Sequence, residues 1–136
     1  MTFTESVGTV LTRKYAMFDG RARRAELWWF VLFSFLVQAA VAVLSAIIAP
    51  ADGSVALGTI LAALISFIVT LGLLLPSIAV GVRRLHDIDR TGWWMLLVLI
   101  PLIGQIVLLV FFCLRGTDGP NRFGPDPLGG DAHPVA

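Results

Sequence analysis

The chain has 136 residues, enough for one domain, and its composition excludes an ordinary soluble protein, since 57% of the residues are apolar and only 14% are charged. Soluble domains have about 45–50% apolar and about 25% charged residues, and one of this size buries only about 60–70% of its surface. The net charge of +1 gives no sign of a nucleic-acid partner, and the single cysteine, Cys113, excludes a disulfide within the chain.

Residues 1–26 form an amphipathic, basic N-terminal segment. Thr2 and Glu5 have the spacing of a capping box, in which each residue satisfies a free backbone N–H at the start of a helix. Apolar residues then recur at helical spacing, with Arg13 and Lys14 among them. This pattern predicts a short amphipathic helix lying on a membrane surface, and a disordered tail is the alternative.

Three apolar runs follow, and each is long enough to be a membrane-spanning helix. The first covers residues 27–49, and a crossing needs about 20 residues. The second, residues 55–82, exceeds one bilayer thickness, so we expect it to tilt or to kink at Pro76. The third covers residues 93–114. Together the runs predict an all-α membrane protein with three long transmembrane helices.

The third run is broken at Pro101-Leu-Ile-Gly104, which leaves its path open. One crossing would complete the helical transmembrane domain predicted for residues 27–114. A re-entrant hairpin would return the chain to the side that it entered from, although about 22 residues cannot cross twice and a broken backbone needs protein around it. We expect one crossing and keep the hairpin as the alternative. Residues 115–136, rich in Gly, Pro and Asp, predict an irregular tail.

The basic residues predict the orientation, because Lys and Arg concentrate on cytoplasmic loops. Five of them lie in the N-terminal segment and three in the second connection, whereas the first connection, residues 50–54, has none. We therefore expect a multi-pass inner-membrane protein with a cytoplasmic N-terminus. Trp28-Trp29 and Trp93-Trp94 then fall at the same interface, the depth that tryptophan prefers.

Polar side chains near the middle of the runs predict contacts between helices, because an amide that faces lipid is left without hydrogen bonds. We expect such contacts for four residues: Gln38, Ser66, Thr70 and Gln105. Ser66 and Thr70 also belong to a stripe of small residues, spaced by four from Gly58, that favours close packing of a second helix. A polar pathway for a small solute is the functional alternative.

Charged residues before the first run and after the second should meet at one end of the bundle. The candidate cluster for ion pairs or for lipid headgroups consists of Arg21, Arg24, Glu26, Arg83, Arg84, His86 and Asp87. A carboxylate close to lipid needs a cationic partner. We therefore expect Glu26 to pair with Arg83 or Arg84.

The same cluster has three interpretations. Interface ion pairs are the simplest, with Asp87 bonded to Arg21 or Arg24. Binding of anionic lipid headgroups by the arginines is the second. The third is a catalytic or metal site at His86, Asp87 and Asp89, but no second His or Cys stands at a ligand-like spacing. We therefore expect no catalytic residue, metal ligand or cofactor.

Four motifs, in this order and spacing, resemble the bacterial inner-membrane family catalogued as domain of unknown function 805. They are FDGRARRAELWWF (residues 18–30), RRLHDIDRTGWW (83–94), IPLIG (100–104) and GTDGPNRFGPDP (116–127). Some positions differ from the usual family pattern: Asp89 stands where glycine is common, Thr91 where serine is common, and Leu27 and Phe123 replace frequent tyrosines. The resemblance implies a multi-helix inner-membrane protein and brings no substrate, cofactor or reaction.

The resemblance adds Asn121 and Arg122, in the tail motif, to the candidate site residues. Family motifs occur in the N-terminal segment, the second connection and the tail. If all three form one polar site, they should lie on one face of the membrane, and this favours the hairpin for the third run.

Three functions remain open at this stage. We expect a non-enzymatic membrane component that binds anionic lipids or a partner, either a second copy or another membrane protein. The alternative is an oligomeric transporter or channel subunit with a polar lining through Gln38, Thr70 and Gln105. A lipid-modifying enzyme with His86 and Asp87 as acid and base is less well supported.

Overall fold

The computed structural model describes residues 1–128, and the end of the predicted tail, residues 129–136, lies outside the described residues. Within the described part, the regular elements are all helical, which confirms the all-helical class. In chain order they are α1 (Phe3–Gly8), a π-helical turn (Thr9–Arg13), α2 (Arg24–Ile48), α3 (Leu57–Asp87), a 3-10 helix (Gly92–Leu99) and α4 (Ile103–Cys113).

Helices α2 and α3, with 25 and 31 residues, are long and apolar enough to cross a membrane. They pack closely because the stripe of small residues on α3 faces α2. A Cβ atom on Gly58 would lie 2.6 Å from the carbonyl oxygen of Ile48, and Ala62 is buried. Small side chains therefore bring the two backbones together near the loop that joins them.

The proline inside α3 leaves one carbonyl group that the N-terminal segment satisfies. Pro76 has no N–H, so the carbonyl of Gly72, four residues earlier, has no helical donor. The Tyr15 hydroxyl donates to this oxygen at 2.6 Å. The N-terminal segment is therefore bonded to the side of α3.

The predicted capping box starts α1. The Glu5 N–H donates to the Thr2 hydroxyl oxygen at 3.2 Å, and the Thr2 N–H donates to the Glu5 carboxylate at 2.9 Å. The bond from the Thr2 backbone lowers the pKa of Glu5 below its usual value. The apolar side of the segment packs against α2, with Val10 buried and the Phe3 ring 5.8 Å from the Trp29 ring.

The third apolar run is a hairpin, so the expectation of a single long crossing helix is wrong. A γ-turn reverses the chain, with Leu102 at φ +64° and the Ile103 N–H bonded to the Pro101 carbonyl at 2.7 Å. The rings of Trp94 and Phe111, one from each arm, are 5.6 Å apart. Both ends of the run therefore lie at the same end of the bundle.

Two residues explain why the run bends. Pro101 cannot donate the hydrogen bond that would continue the 3-10 helix. A Cβ atom on Gly104 would collide with the carbonyl oxygen of Leu97 in the other arm, so only glycine lets the arms approach this closely. The term hairpin is used below for the 3-10 helix, the turn and α4 together.

Candidate functional site

Five charged side chains are buried together where α2 begins and α3 ends. This charged core consists of Arg21, Glu26, Arg83, Arg84 and Asp87. Each of its residues is at most 5% exposed, and two of the arginines are completely inaccessible. Because an unpaired buried charge is costly, these groups must be neutralised by one another and by backbone oxygens.

Both carboxylates of the charged core bind arginines that the sequence indicates as partners. Glu26 pairs with Arg83. Asp87 pairs with Arg84 from its own helix and with Arg21, whose Nη2 lies 2.9 Å from the carboxylate. The two carboxylates therefore neutralise two of the three buried arginines. The remaining positive charge is stabilised by hydrogen bonds that the arginines donate to backbone carbonyl groups.

One group of these carbonyls lies at the C-terminal end of α4. Arg84 donates to the carbonyl oxygens of Phe112 and Leu114, and Arg24 donates to that of Cys113 at 3.2 Å. The last carbonyls of a helix lack helical donors and carry partial negative charge, so arginines stabilise them. Arg24, expected as a partner for Asp87, instead fixes the second arm of the hairpin and is itself exposed.

A second group of carbonyls belongs to the tail. Arg21 donates to the carbonyl oxygens of Thr117 at 2.5 Å and of Gly119 at 2.7 Å, while the Thr117 N–H donates to the Asp87 carbonyl at 2.7 Å. A Cβ atom on Gly116 would collide with the Asp87 carboxylate. The tail therefore passes directly over the charged core and closes it.

Beyond this point the tail forms a tight turn that docks on the end of α3. The Asn121 side chain donates to the His86 carbonyl at 2.9 Å, and the Phe123 ring stacks on the imidazole with 4.0 Å between ring centroids. Arg122 binds the Asp89 carboxylate at 3.2 Å. Both candidate residues of the tail motif thus hold the tail in place.

Asp89 is one of the positions where the chain differs from the pattern of the family that it resembles. Its φ is +59°, in the left-handed region that glycine adopts without strain. Asp tolerates this region better than most residues. The commoner glycine at this position is therefore explained by the backbone, and the aspartate adds a bond to Arg122.

The surroundings of His86 do not resemble an acid–base site. Its Nδ1 donates to the Gly20 carbonyl at 2.9 Å, and one face of the ring is covered by Phe123. Among residues 1–128, no three His, Cys, Asp or Glu side chains are placed to hold a metal ion. The imidazole connects the N-terminal segment, α3 and the tail.

Arg90 has a different environment, which the sequence analysis did not single out. Its guanidinium carbon lies 4.9 Å from the ring centroids of both Trp94 and Phe111. Within the described part of the chain, no acceptor bonds its guanidinium N–H groups. Its spacing of four residues from Trp94 could have predicted the contact with that ring, but the contact with Phe111 depends on the hairpin.

An apolar groove of about 310 Å³ begins at the same tryptophan. Its lining comes from the first arm of the hairpin and consists of Trp93, Trp94, Leu96, Leu97 and Ile100. A cation with free N–H groups therefore stands next to a groove without charged side chains. Phosphate esters that carry hydrocarbon chains combine the two complementary properties.

The polar residues within the apolar runs do not form one continuous lining. Gln38 donates to the Thr70 hydroxyl at 3.2 Å, between α2 and α3. Ser66 shares a 3.4 Å hydrogen bond with Ser45. Gln105 is exposed, contrary to expectation, because Gly104 and Leu108 form the buried face of α4 and turn it outward.

Comparison with known proteins places the whole site inside one family match. The profile of the family described as "Protein of unknown function (DUF805)" matches residues 15–125. Inner membrane protein YhaI of Escherichia coli (strain K12) is 46% identical over 115 residues, 85% of this chain and 89% of YhaI. Inner membrane protein YhaH of the same strain is 44% identical over 117 residues, 85% of this chain and 90% of YhaH. No solved structure matches significantly.

Proposed function

Since the chain belongs to the DUF805 family of unknown function and is similar to two inner membrane proteins, we propose that it is a non-enzymatic, multi-pass inner-membrane protein that binds anionic phospholipids at the cytoplasmic face. Helices α2 and α3 cross the bilayer, and the hairpin enters and leaves on the cytoplasmic side. The N-terminal segment and the tail lie on that side too.

The distribution of charge supports this topology. In this topology all ten Lys and Arg residues of the chain fall on one side of the membrane, which agrees with the preference of basic residues for the cytoplasm. The connection between α2 and α3 has only Asp52 as a charged residue. A reporter fused to the C-terminus tests the arrangement: we expect cytoplasmic exposure, and external exposure would contradict it.

The position of Arg90 is the observation on which the lipid-binding proposal rests. A guanidinium presents a planar set of N–H donors that fits two oxygens of a phosphate at once. The rings of Trp94 and Phe111 hold the group by cation–π contact and leave its N–H groups free for a ligand. Tryptophan at this position also agrees with the depth of the headgroup region.

The groove beside Trp94 supplies the complementary apolar surface. It runs along the first arm of the hairpin, so in the proposed topology it extends from the headgroup region into the hydrocarbon layer. The headgroup of one phospholipid then contacts Arg90 while an acyl chain lies along Trp94 and Leu97. An anionic headgroup is favoured over a zwitterionic one, since it has no cationic group of its own to oppose the arginine.

The structure changes which arginines are candidates for this role. Arg21, Arg83 and Arg84 are buried, and each is bonded to one carboxylate and to at least one backbone oxygen. We therefore assign them to holding the hairpin and tail on the bundle. Arg90 is half-buried, and its N–H groups have no acceptor among the described residues, so we transfer the headgroup proposal to it.

Native mass spectrometry of the purified protein tests the proposal by comparing bound phosphatidylglycerol with bound phosphatidylethanolamine. One basic residue contributes about 1 kcal/mol to binding at an acidic leaflet, or about fivefold in affinity. We expect Arg90→Gln to lower phosphatidylglycerol retention by about this factor and to leave phosphatidylethanolamine unchanged.

Arg115→Gln is the matched control. It removes the same charge from a side chain that is 74% exposed and pairs with Asp118, away from the aromatic rings. We expect this variant to retain phosphatidylglycerol as the wild type does. Equal retention by the wild type and Arg90→Gln would refute the proposed binding site.

A further inference from the structure

The turn of the hairpin lies far from both of its ends. The first arm has eight residues in a 3-10 helix and the second has eleven in an α-helix, and each arm is about 16 Å long. In the proposed topology, the hairpin tip, residues 100–103, reaches about half-way into a hydrocarbon layer of about 30 Å. The turn is therefore placed at the depth where the bilayer offers no hydrogen bonds.

Within one copy of the chain, this tip is uncovered. Leu102 and Ile103 are 69% and 68% exposed. No side chain caps the start of α4, and the N–H groups of Ile103 and Gly104 bond instead to the carbonyl oxygens of Pro101 and Ile100 in the turn. Non-helical backbone at this depth is found where it is buried in protein or lines a water-filled cavity.

Gln105, two residues beyond the tip, adds a stronger requirement. Its amide has two N–H donors and an acceptor oxygen. The side chain is exposed, and no described residue bonds it. If the side chain faced lipid, none of these donors and acceptors would form a hydrogen bond, which is energetically unfavourable.

The rest of this surface is suited to packing against a helix. Leu102, Ile106 and Leu109 are spaced by four and three residues and are all at least half exposed. They lie on the face of α4 opposite to the buried Gly104 and Leu108. A stripe with this spacing next to a single polar amide is typical of helix pairs whose register is fixed by one buried hydrogen bond.

We propose that a second copy of the chain covers the hairpin tip, in a twofold dimer in which the two Gln105 side chains hydrogen-bond to each other. Self-association satisfies the amide without any other group, because a carboxamide is both donor and acceptor and two identical ones can bond reciprocally across a twofold axis. Interhelical bonds of this kind hold membrane helices together. The inference rests on the topology part of the proposed function and is independent of lipid binding at Arg90.

Disulfide cross-linking in native membranes tests the contact directly. Cys113→Ser provides a background without cysteine, since the chain has no other. In this background we expect Leu109→Cys, which lies on the proposed interface and keeps Gln105, to form covalent dimers of this chain on mild oxidation, because residues beside a twofold axis come within disulfide distance. Val110→Cys, with the same 51% exposure but on another face of α4, is the control and should stay monomeric.

The second measurement uses the glutamine itself and does not depend on cysteine variants. Subunit counting by single-molecule photobleaching in lipid bilayers should show dimers for the wild type. Gln105→Leu should shift the equilibrium toward monomers by about fivefold, and Gln105→Asn, which keeps the carboxamide, should shift it less.

Monomeric wild-type protein would overturn the proposal, as would cross-links from Leu109→Cys to a different protein. Equal cross-linking from Val110→Cys would also contradict the assigned face. Loss of lipid retention in Arg90→Gln together with a monomeric wild type would leave the proposed function standing and remove this inference. A dimer with unchanged lipid retention would do the reverse.

Discussion

In the charged core, arginine side chains have no access to solvent, whereas along α2 and α3 large apolar side chains are exposed. Arg83 and Arg84 are fully buried, while Ile47 and Phe67 are 76% and 61% exposed. This is the opposite of a soluble protein, in which apolar residues fill the interior. The contrast shows that protein interior is used here for groups that lipid cannot solvate.

The two regions should therefore differ in how much they contribute to stability. Moving an apolar side chain from lipid into protein gains little, since both surroundings are apolar. A charged side chain gains much from leaving lipid, provided that it finds partners. We expect the charged core to contribute most of the free energy of folding. The half of α2 and α3 nearest the loop that joins them should be held by a few weak contacts.

The largest effect is expected at Asp87, which holds both Arg21 and Arg84. Asp87→Asn leaves two buried arginines without a carboxylate and should lower the free energy of unfolding by about 3–5 kcal/mol. Unfolding by SDS in mixed micelles measures the change. Asp118→Asn breaks an exposed pair with Arg115 and should cost at most about 1 kcal/mol. Equal losses of stability in the two variants would contradict a larger contribution from the charged core.

A smaller but still substantial effect is expected where the tail closes the core. The side chain added by Gly116→Ala collides with the paired Asp87 carboxylate, so we expect a loss of about 1–3 kcal/mol from overpacking. Trypsin should then cleave the tail faster at Arg122. Gly72→Ala is the control, because nothing lies within 4 Å of the added methyl group and alanine favours a helix by up to about 1 kcal/mol.

The meeting of the charged residues could be predicted from sequence, whereas the hairpin could be given only as an alternative to a single crossing. Two short charged stretches at the ends of apolar runs must meet if the runs cross together, and this was enough to pair Glu26 with Arg83 or Arg84. The third run has the same apolar composition whether it is straight or bent. Its path is decided by the backbone of Leu102 and by the close contact at Gly104, which hydropathy does not register.

Two other features follow from the hairpin and were not predicted. The exposed position of Gln105 depends on which face of α4 packs inward, and the contact of Arg90 with Phe111 exists only because the second arm returns. Docking of the tail was hidden for another reason. Arg21 binds backbone carbonyl groups there, and every residue has one, so the sequence carries no distinctive signal.

Away from the charged core, a weaker effect on stability is expected from the hydrogen bond between Gln38 and Thr70. Gln38→Leu should lower the free energy of unfolding by about 0.6 kcal/mol, the average for such bonds in membranes, and by at most about 1.7 kcal/mol. Thr70→Val removes the same bond from the other side. A double-mutant cycle in SDS unfolding should then show that the second substitution adds little, whereas additive losses would mean that the two side chains act separately.

The smallest net change from the wild type is expected for Asp89→Gly, because the relief of backbone strain and the loss of an ion pair oppose each other. Asp89→Gly relieves the left-handed backbone and loses a half-exposed pair with Arg122, which contributes at most about 1 kcal/mol. Asp89→Ala loses the pair and keeps the strain, so it should be less stable than Asp89→Gly by about 1 kcal/mol. Comparing these two variants with each other, by the same unfolding measurement, separates backbone from charge because both lack the carboxylate. If they were equally stable, the backbone would not explain the family's glycine, and the docking of the tail at this position would depend on the side-chain contact with Arg122.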